Sequence, residues 1–573
     1  MLETRNKPYT KRCPQFERTI EQKMKKSTYQ HCFSESSLKL SWERVISSVG
    51  ADAKDYFGIG VFNNNTDRML ASLSELLLSG KYQPKRPFKY FEPKKSGTQR
   101  TKTVLNIEDA LVYQAISNHI AELEYSSLSE TNNCVFGSVL NENVSKGVNL
   151  LDEEPDDFYF FEFYVEPYNR FINSINETVE TGKVTHILET DITGFFDTIP
   201  HSTILLELKN RNIDEKILEI FSKCLNIWSG TRDSATFGVG IPQGPAGSFL
   251  IANIVLDSLD RLAIKNGLHY YRFMDDIRIY GKSRKELIHC LVAIDRHLKS
   301  KSLCLNSEKT LIEPIDEHNS GKEKFLDDYG ISIENDDRAE ISQEILEQNS
   351  TQFGEKDDNF GEINPAEYIP LYINALEDFE EKLKQFFEKN VKRDFWLIET
   401  SEMREFLTFS QKWRIIVKIL LDEIEYKPNE SMIDIWLFGI RAFNWKTNNF
   451  VWNLQLYENL SHNYDDIFIV FDEFDNYEWI QYQILSIFKD ATYLNLDEQQ
   501  YLLQSIPKTD SPLVRLGYFK ILLETIKTNT RFFQSVAELI KEEKNVYVKN
   551  SILNSINRSQ LKIPIDTLKN WFL

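Results

Sequence analysis

Apolar residues recur at helical spacing in several segments of the N-terminal half of the chain. Within residues 67–80, Met69, Leu70, Leu73, Leu76 and Leu77 recur every three or four positions. This period predicts an amphipathic helix, and a glycine at position 80 suits its C-terminal end. The same period predicts helices at residues 41–50, 248–262 and 285–299.

A different pattern, with aromatic and β-branched residues between turn signals, predicts short strands. Residues 88–105 are expected to form two strands around a Ser96-Gly97 turn, and residues 271–280 a hairpin with Asp275 and Asp276 at its tip. An apolar run beginning at residue 187 ends at Asp191. The aromatic segment 158–165 is expected to pack in the core before a helix that runs to residue 175.

The C-terminal region is almost wholly helical in pattern. Apolar faces at residues 413–424, 433–443, 513–526 and 546–556 each fit the helical period. Val514-Arg515 and Val548-Lys549 open two similar helices, which is a weak sign of a stacked-helix, HEAT-like array. An irregular helical bundle remains the alternative.

Candidate chemistry is concentrated at the acidic hairpin tip. Adjacent carboxylates repel each other, and a hard divalent cation with oxygen ligands relieves that repulsion. A strand delivering Asp191 beside Asp275 and Asp276 would bring three carboxylates together. Two metal ions about 4 Å apart, sharing Asp191 and Asp275, would suit phosphoryl transfer. The alternative for the tip alone is a solvated turn, in which aspartate is common.

Charge and composition narrow the classes of protein. The 573 residues carry a formal net charge of −20, which argues against a simple nucleic-acid coat. A local basic stretch at residues 81–102 nevertheless holds eight Lys or Arg residues against Glu92 alone. The six cysteines form no C-x-x-C pair, and no long apolar run or signal-peptide core is found. We therefore expect a cytoplasmic protein without a membrane span.

Three motifs in order carry a resemblance to reverse transcriptases. They are Asp191 to Ile199, the Pro242-Gln243-Gly244 loop, and Phe273-Met274-Asp275-Asp276. The resemblance implies a metal site at Asp191, Ile192, Asp275 and Asp276, holding Mg²⁺ with Mn²⁺ as the alternative. Asp191, Asp275 and Asp276 would be the catalytic carboxylates.

The same resemblance suggests roles for further residues. Lys94, Lys95 and Arg100, on the basic hairpin, would hold the incoming triphosphate; a solvated basic hairpin is the alternative. Phe196 would exclude a 2′-hydroxyl as a steric gate, although Phe195 or Phe196 could serve only the core.

Two other motifs complete the predicted site. Gln243 would lie near the nascent base pair. Lys309, within Leu305-Asn306-Ser307-Glu308-Lys309-Thr310, would protonate the leaving pyrophosphate, or be an ordinary surface lysine. Residues 134–138 depart from the family's usual form, so no template contact is assigned to them. His201 is expected to cap or pack rather than catalyse.

The resulting fold class is α+β, with right-hand polymerase fingers and palm followed by a large all-α C-terminal domain, HEAT-like or irregular. We divide the chain into an N-terminal arm (1–36), fingers (37–130), palm (131–315), acidic connector (316–365) and helical C-terminal domain (366–573).

A reverse transcriptase core joined to a large helical domain resembles the bacterial abortive-infection, AbiK-like group. That resemblance implies a homo-oligomeric, anti-phage DNA polymerase using dNTPs. It admits template-independent synthesis primed from a protein hydroxyl, which would leave DNA covalently attached. The alternatives are a templated RNA-directed polymerase of the group II intron or retron type, and a non-catalytic RNA-binding scaffold.

Overall fold

The computed structural model describes residues 28–48, 59–63, 65–153, 155, 157–230, 238–315, 369–488, 493–528 and 530–558. Most of the predicted N-terminal arm (residues 1–27 of 1–36) and the whole acidic connector (316–365) lie outside the described residues. The chain forms two compact units: residues 1–89 with 103–323, and residues 90–102 with 324–573.

Besides a helical segment at residues 28–32, ten further α-helices occur in the described part of the first unit. They are α1 (Glu35–Ser48), α2 (Ile59–Asn63), α3 (Thr66–Leu78), α4 (Ile107–Ser129), α5 (Val165–Glu180), α6 (Phe195–Thr198), α7 (His201–Asn210), α8 (Glu215–Trp228), α9 (Ala246–Lys265) and α10 (Arg284–Ser300), with a 3-10 helix at Glu142–Asp152. The helices predicted at residues 41–50, 67–80, 248–262 and 285–299 are confirmed as α1, α3, α9 and α10.

Four strands of the first unit form one antiparallel sheet. Strands β3 (His186–Thr190), β4 (His269–Phe273), β5 (Asp276–Gly281) and β6 (Leu311–Pro314) lie in the order β4-β5-β3-β6. Leu188 pairs with Ile279 of β5 on one side and with Ile312 of β6 on the other. Strand β3, which leads to Asp191, is therefore internal to the sheet.

The core of the first unit is built around α4. Asn106 caps this helix by accepting a hydrogen bond from the Asp109 N–H, and residues 109–121 are buried without interruption. A helix buried on all sides lies at the centre of a protein rather than on its surface. Helix α9 approaches α4 closely: the Tyr113 and Ser248 hydroxyls lie 2.9 Å apart, and a Cβ on Gly247 would lie 2.9 Å from the Tyr113 ring.

The predicted fingers hairpin is also present. Strands β1 (Phe88–Pro93) and β2 (Gln99–Val104) pair with each other, and Gly97 adopts a φ of 79° in the turn between them. Glycine adopts this left-handed conformation without steric cost, which explains the position of the turn. Residues 90–102 of this hairpin group with the second unit.

From residue 369 onward, the described part of the second unit consists of helices and the turns between them. The helices are α11 (Ile369–Asn390), α12 (Thr400–Glu423), α13 (Ile433–Ala442), α14 (Thr447–Leu454), α15 (Tyr464–Glu473), α16 (Glu478–Leu485), α17 (Leu496–Ser505), α18 (Pro512–Thr528), α19 (Phe533–Glu542) and α20 (Val546–Arg558). Short 3-10 helices occupy Phe395–Leu397, Glu430–Met432, Asn444–Lys446, Ser461–Asn463, Ser486–Phe488, Ile506–Lys508 and Thr530–Phe532.

These helices stack as successive hairpins. Helix α11 packs on α12, α13 on α14, α15 on α16 and α17 on α18. The second members also form a row, since α12, α14, α16, α18 and α20 each contact the next. Pairs that contact mainly their neighbours are characteristic of a helical solenoid. The arrangement therefore matches the stacked-helix alternative more closely than the irregular bundle.

The prediction that the aromatic segment 158–165 packs in the core is wrong in part. Phe160 is buried, but Tyr159, Phe163 and Tyr164 are 44%, 48% and 36% exposed. The segment has no regular strand over residues 157–164. Without a strand or helix, successive rings do not share one face, so only some of them reach the core.

Candidate active site

The candidate site lies where β3 and β5 run side by side. Thr190 pairs with Ile277 in the antiparallel register, so the next step of that register sets Asp191 opposite Asp276. Directly opposed residues in an antiparallel pair have Cα atoms roughly 5 Å apart and side chains on the same face. Two of the predicted carboxylates, 85 positions apart in the chain, thus lie at adjoining ends of two paired strands.

The acidic tip is a tight two-residue turn. Phe273 pairs with Asp276, so Met274 and Asp275 are its central residues. Met274 has a φ of 56°, as the first central position of a type II′ turn requires. Glycine is the usual residue at this position, and a methionine there costs about 1–3 kcal/mol that surrounding contacts must offset.

One oxygen of the Asp191 carboxylate accepts a hydrogen bond within the described structure, and the other does not. Lys309 Nζ donates to Asp191 Oδ2 over 2.7 Å. Asp191 Oδ1 is buried and finds no hydrogen-bond partner among the described residues. A buried carboxylate oxygen without a partner is costly, unless a cation or water satisfies it.

The segment that carries Lys309 is joined to the strand that carries Asp191. The Asn306 N–H donates to the Asp191 carbonyl over 2.9 Å, and the Thr193 N–H donates to the Cys304 carbonyl over the same distance. The Thr190 and Thr310 hydroxyls lie 2.7 Å apart. Lys309 therefore reaches Asp191 from a backbone that is itself hydrogen bonded to β3 and its extension.

The fit of these residues to divalent metal is partial. Across the described ranges, no three His, Cys, Asp or Glu side chains converge closely enough to hold a metal ion. The strand register and the buried Asp191 oxygen fit an oxygen-liganded cation, and the Lys309 ammonium supplies positive charge to the same carboxylate. The predicted metal set of Asp191, Ile192, Asp275 and Asp276 stays a prediction.

The loop containing Gln243 is bonded to the turn that follows Asp191. The Ile241 N–H donates to the Phe196 carbonyl, and the Gly240 N–H to the Ile199 carbonyl, each over 2.8 Å. On its other side, the Gln243 carbonyl accepts from the Thr103 N–H over 2.8 Å. We call these main-chain bonds the loop seam. The seam joins the Phe196 turn, the Gln243 loop and the end of β2.

Phe196, the predicted steric gate, is buried. It is 8% exposed, and its ring lies 5.4 Å from that of Phe249 and 5.7 Å from that of Phe195, both edge to face. Phe195, at 2% exposed, is the more deeply buried. This difference agrees with Phe195 serving the core and leaves Phe196 as the gate candidate.

His201 supports the same loop, as its predicted packing role implies. Its Nε2 lies 2.8 Å from the Gly240 carbonyl and 3.1 Å from the Ser229 hydroxyl, and its Nδ1 lies 3.2 Å from Asn226 Oδ1. Burial lowers the pKa of the His201 imidazole, which favours the neutral ring.

The predicted triphosphate residues lie at the β1–β2 tip, within the second unit. Lys94 is exposed, and Lys95 and Arg100 are half-buried. Main-chain bonds from the Lys94 N–H to the Thr98 carbonyl and from the Gly97 N–H to the Lys94 carbonyl close the turn. The tip can therefore present basic groups, and their role in triphosphate binding stays a prediction.

Sequence reasoning missed the residues behind the acidic turn. Arg272 is fully buried and its guanidinium contacts Asp260, Asn253 and the Met274 carbonyl. Gly137 lies so close to the turn that a Cβ would stand 2.9 Å from Met274 Cγ and closer still to the Met274 nitrogen. Asp260 lies in α9 and Arg272 in β4, and no local pattern in the sequence links the two residues.

No helix in the described part of the chain is both long and apolar enough to cross a membrane.

Comparison with known families identifies the central part of the chain. Residues 93–317 match the family model described as reverse transcriptase (RNA-dependent DNA polymerase). Among curated proteins, an uncharacterized 91 kDa protein in cob intron from Schizosaccharomyces pombe is 31% identical over 107 residues, covering 18% of this chain and 13% of that protein. Protein YkfC from Escherichia coli is 22% identical over 233 residues, covering 38% of this chain and 48% of its own length. The chain thus spans less than half of each of these relatives.

Solved structures of telomerase are also similar. Telomerase from Candida albicans, in complex with a fragment of telomeric RNA, gives a TM-score of 0.30 at 13% identity, covering 70% of this chain and 66% of that one. Apo telomerase from Candida tropicalis gives 0.30 at 12% identity, with 70% and 69% covered.

The match, which contains Asp191, the Gln243 loop and the acidic turn, shows that residues 93–317 form a reverse transcriptase-like region of the chain.

Proposed function

We propose that this protein is a DNA polymerase that adds deoxynucleotides by phosphoryl transfer at Asp191, Asp275 and Asp276. The proposal rests on one observation, the register that sets the position after β3 opposite the start of β5. Carboxylates at the ends of paired strands are held in place more firmly than carboxylates on long loops. Phosphoryl transfer depends mainly on such positioning and on charge neutralisation.

The cofactor in this proposal is Mg²⁺, with Mn²⁺ as the alternative. When bound, the ions lower the pKa of the attacking 3′-hydroxyl and neutralise the triphosphate. Asp191, Asp275 and Asp276 would hold them through side-chain oxygens, and Ile192 could contribute only its main-chain carbonyl. The buried, unpartnered Asp191 oxygen supports this assignment.

The remaining predicted residues would act on the nucleotide. Lys94, Lys95 and Arg100 would neutralise the triphosphate, since guanidinium and ammonium groups bind phosphate oxygens. Phe196 would contact the sugar, and Gln243 the nascent base pair. Lys309 would donate a proton to pyrophosphate as it leaves.

We further propose that the polymerase acts in the cytoplasm in anti-phage abortive infection, as a homo-oligomer. In that role it would make DNA without a nucleic-acid template and start from a protein hydroxyl, so that the product is covalently attached. The large helical unit after the reverse transcriptase domain supports this proposal, because such a domain accompanies the polymerase in the abortive-infection group.

A templated RNA-directed polymerase of the group II intron or retron type is the second candidate. The description of the matched family favours RNA as template, and the name of one relative places it in an intron.

Replacement of Asp275 by alanine tests the catalytic assignment. We expect Asp275→Ala to abolish incorporation of labelled dNTPs with an unchanged unfolding temperature, because the turn would lose a carboxylate. Asp197→Ala is the matched control: Asp197 lies in the same short helix, α6, as Phe196 and has no assigned metal role. Full activity in folded Asp275→Ala would refute the assignment.

An incorporation assay with and without added RNA separates the candidate functions. Product formed without RNA, and retained on the protein after denaturation, supports the template-independent, protein-primed proposal. Product that requires RNA and copies its sequence supports the second candidate. Absence of product under both conditions, with Mg²⁺ and with Mn²⁺, supports a non-catalytic RNA-binding scaffold.

A further inference from the structure

The guanidinium of Arg272 lies directly behind the acidic turn. Arg272 Nε and Nη2 donate to the two carboxylate oxygens of Asp260 over 2.8 and 2.6 Å. Its remaining nitrogen, Nη1, donates to Asn253 Oδ1 over 2.9 Å and to the Met274 carbonyl over 2.6 Å. The exposed fraction of Arg272 is 0%. All its contacts are thus made inside the protein.

The Met274 carbonyl belongs to the peptide that links Met274 to Asp275. Fixing that carbonyl fixes the plane of the peptide, and therefore the direction from which the Asp275 side chain emerges. Met274 also has the unfavourable positive φ described above. A buried, charge-assisted hydrogen bond is among the stronger contacts that can hold a peptide in such a conformation.

Asn253 extends the same set of contacts to the segment behind the turn. Its Nδ2 donates to the carbonyls of Gly137 and Ser138 over 3.0 and 3.2 Å. That segment in turn bonds to the backbone of β4, since the Phe136 N–H donates to the Arg272 carbonyl over 2.9 Å. The turn is therefore held both by side chains and by a third length of backbone.

Stability alone does not explain a buried ion pair at this position. Well-packed apolar residues of similar volume generally support a core as well as a buried ion pair does, or better. Apolar residues, however, cannot donate a hydrogen bond to a chosen carbonyl. The directional contact with Met274 is what the arginine adds.

From these contacts we propose that Arg272, Asp260 and Asn253 are positioning residues of the polymerase, which fix the Met274-Asp275 peptide and so aim the Asp275 carboxylate. The proposal rests on the proposed function for its catalytic consequence. Asp260 orients the guanidinium, Arg272 holds the turn, and Asn253 fastens both to residues 137 and 138.

The double variant Asp260→Leu/Arg272→Met tests the proposal, because it removes both charges together and leaves neither unpaired. We expect kcat for dNTP incorporation to fall about 10- to 100-fold, as for a misplacement of about 1 Å, with the KM for dNTP within about twofold of the native value. Amide hydrogen exchange in residues 269–281 should become faster. Native kcat together with native exchange would overturn the proposal.

The double variant Arg211→Met/Asp257→Leu is the matched control. It removes another largely buried ion pair, whose Asp257 lies in the same helix as Asp260, with Arg211 Nη2 2.7 Å from Asp257 Oδ2. Glu124 and Arg261 each lose one ion-pair partner in this variant, and the Arg211–Asp257 pair has no contact with the turn in the described structure. We expect native kcat and native exchange at residues 269–281. An equal loss of kcat in this control would overturn the specific role of Arg272.

Two further measurements apply if the double variant does not fold or if the native protein is inactive. If the Asp260→Leu/Arg272→Met protein does not fold, Asn253→Ala leaves the ion pair intact and should produce a smaller loss of kcat with faster exchange of the turn. If the native protein incorporates no dNTP, the proposed function fails. Amide hydrogen exchange at residues 269–281 of the Asp260→Leu/Arg272→Met variant then tests the positioning role by itself. Faster exchange supports that role, and unchanged exchange overturns it.

Discussion

At the scale of single residues, Lys309 forms an ion pair with Asp191. The lysine could therefore compete with a metal ion for this carboxylate, besides acting as the proposed general acid. The Lys309 side chain is 55% exposed, while that of Asp191 is 19% exposed. An exposed ion pair is worth only about 0.2–1 kcal/mol, so a divalent cation can displace the ammonium from the carboxylate at low cost. The ammonium would then be available to the leaving group.

Lys309→Ala should therefore change two quantities. Loss of a general acid lowers kcat by about 10²- to 10⁴-fold. Loss of a competing cation lowers the Mg²⁺ concentration for half-maximal activity by up to about fivefold. Titration of dNTP incorporation with Mg²⁺ measures both.

Lys309→Arg is the control for this prediction. Arginine keeps the charge but does not release a proton at neutral pH, so kcat should fall while the Mg²⁺ requirement stays native. Native kcat in both variants would remove Lys309 from catalysis.

Phe196 gives a second prediction at this scale. Phe196→Val should raise the use of ribonucleotides relative to deoxynucleotides, because a smaller side chain leaves room for a 2′-hydroxyl. The ratio of kcat/KM for dNTP and rNTP measures the effect. Phe195→Val is the matched control, since it truncates the adjacent buried ring and should leave the ratio unchanged. An unchanged ratio in Phe196→Val would exclude the gate role.

Some residues of this site could be predicted from the sequence, and others could not. Asp191, Asp275 and Asp276 could be selected because each follows or interrupts an apolar strand, where a carboxylate has no structural reason to be. The pairing of Asp260 with Arg272 could not be predicted, because a charge within a helix does not reveal which strand will bury it. The role of Gly137 could not be predicted either, because its close approach to Met274 exists only after folding.

At the scale of secondary structure elements, α4 contains a buried titratable group. His119 is 7% exposed, and its Nε2 finds no hydrogen-bond partner in the described ranges. Burial lowers the pKa of this imidazole to about 4, with a further lowering from His31 and an opposing effect of Asp214. The unfolded chain therefore binds a proton at higher pH than the folded chain does.

Folding stability should fall with decreasing pH between about 6.5 and 4. Because the folded pKa lies below the unfolded one, the contribution is complete above pH 6.5 and is lost on acidification. We expect His119→Gln to remove about 2 kcal/mol of the decrease in unfolding free energy between pH 7.5 and pH 5. Urea unfolding at both pH values measures it. The same pH dependence in both proteins would contradict the assignment.

The hairpin of α13 and α14 depends on the absence of a side chain at Gly439. A Cβ at this position would lie 2.5 Å from Cε1 of Phe450, whose ring is fully buried. Gly439→Ala should lower the unfolding free energy by about 1–3 kcal/mol through overpacking, partly offset by the better helix propensity of alanine.

Phe450→Leu supplies the test of that mechanism. Each substitution alone should destabilise the protein, but the double variant should be less destabilised than the sum of the two, because leucine leaves space for the new methyl group. Chemical unfolding of the four proteins gives the coupling energy. Additive effects would show that the contact is not the cause.

Element prediction from sequence succeeded where a pattern is local. The hairpin at residues 271–280 and the helix at residues 285–299 could be predicted because apolar spacing and turn residues lie within each segment. Strand β6 was not predicted. Its four residues, Leu311–Pro314, form a strand because β3 lies beside them, and so short a segment has too few residues to show alternation.

At the scale of the whole molecule, the two compact units have separate cores. The first is centred on α4 and α9, and the second on stacked helical hairpins. Units with their own cores commonly unfold as separate cooperative transitions. We expect scanning calorimetry of the full chain to show two transitions.

Variants identify the transitions. Gly439→Ala should lower the temperature of one transition, and Gly137→Ala, which places a methyl group against the acidic turn, should lower the other. A single transition that shifts as a whole in both variants would contradict the prediction.

The loop seam consists entirely of main-chain hydrogen bonds. Its donors and acceptors at Thr103, Phe196, Ile199, Ile241 and Gln243 do not depend on which side chains these positions carry. Gly240 is the exception, because its φ of 85° favours glycine. Natural variants could therefore exchange the ring at 196 or the amide at 243 and still keep the three pieces joined. The side chains proposed to contact a nucleotide can thus change during evolution, while the main-chain bonds that hold their backbone in place are kept.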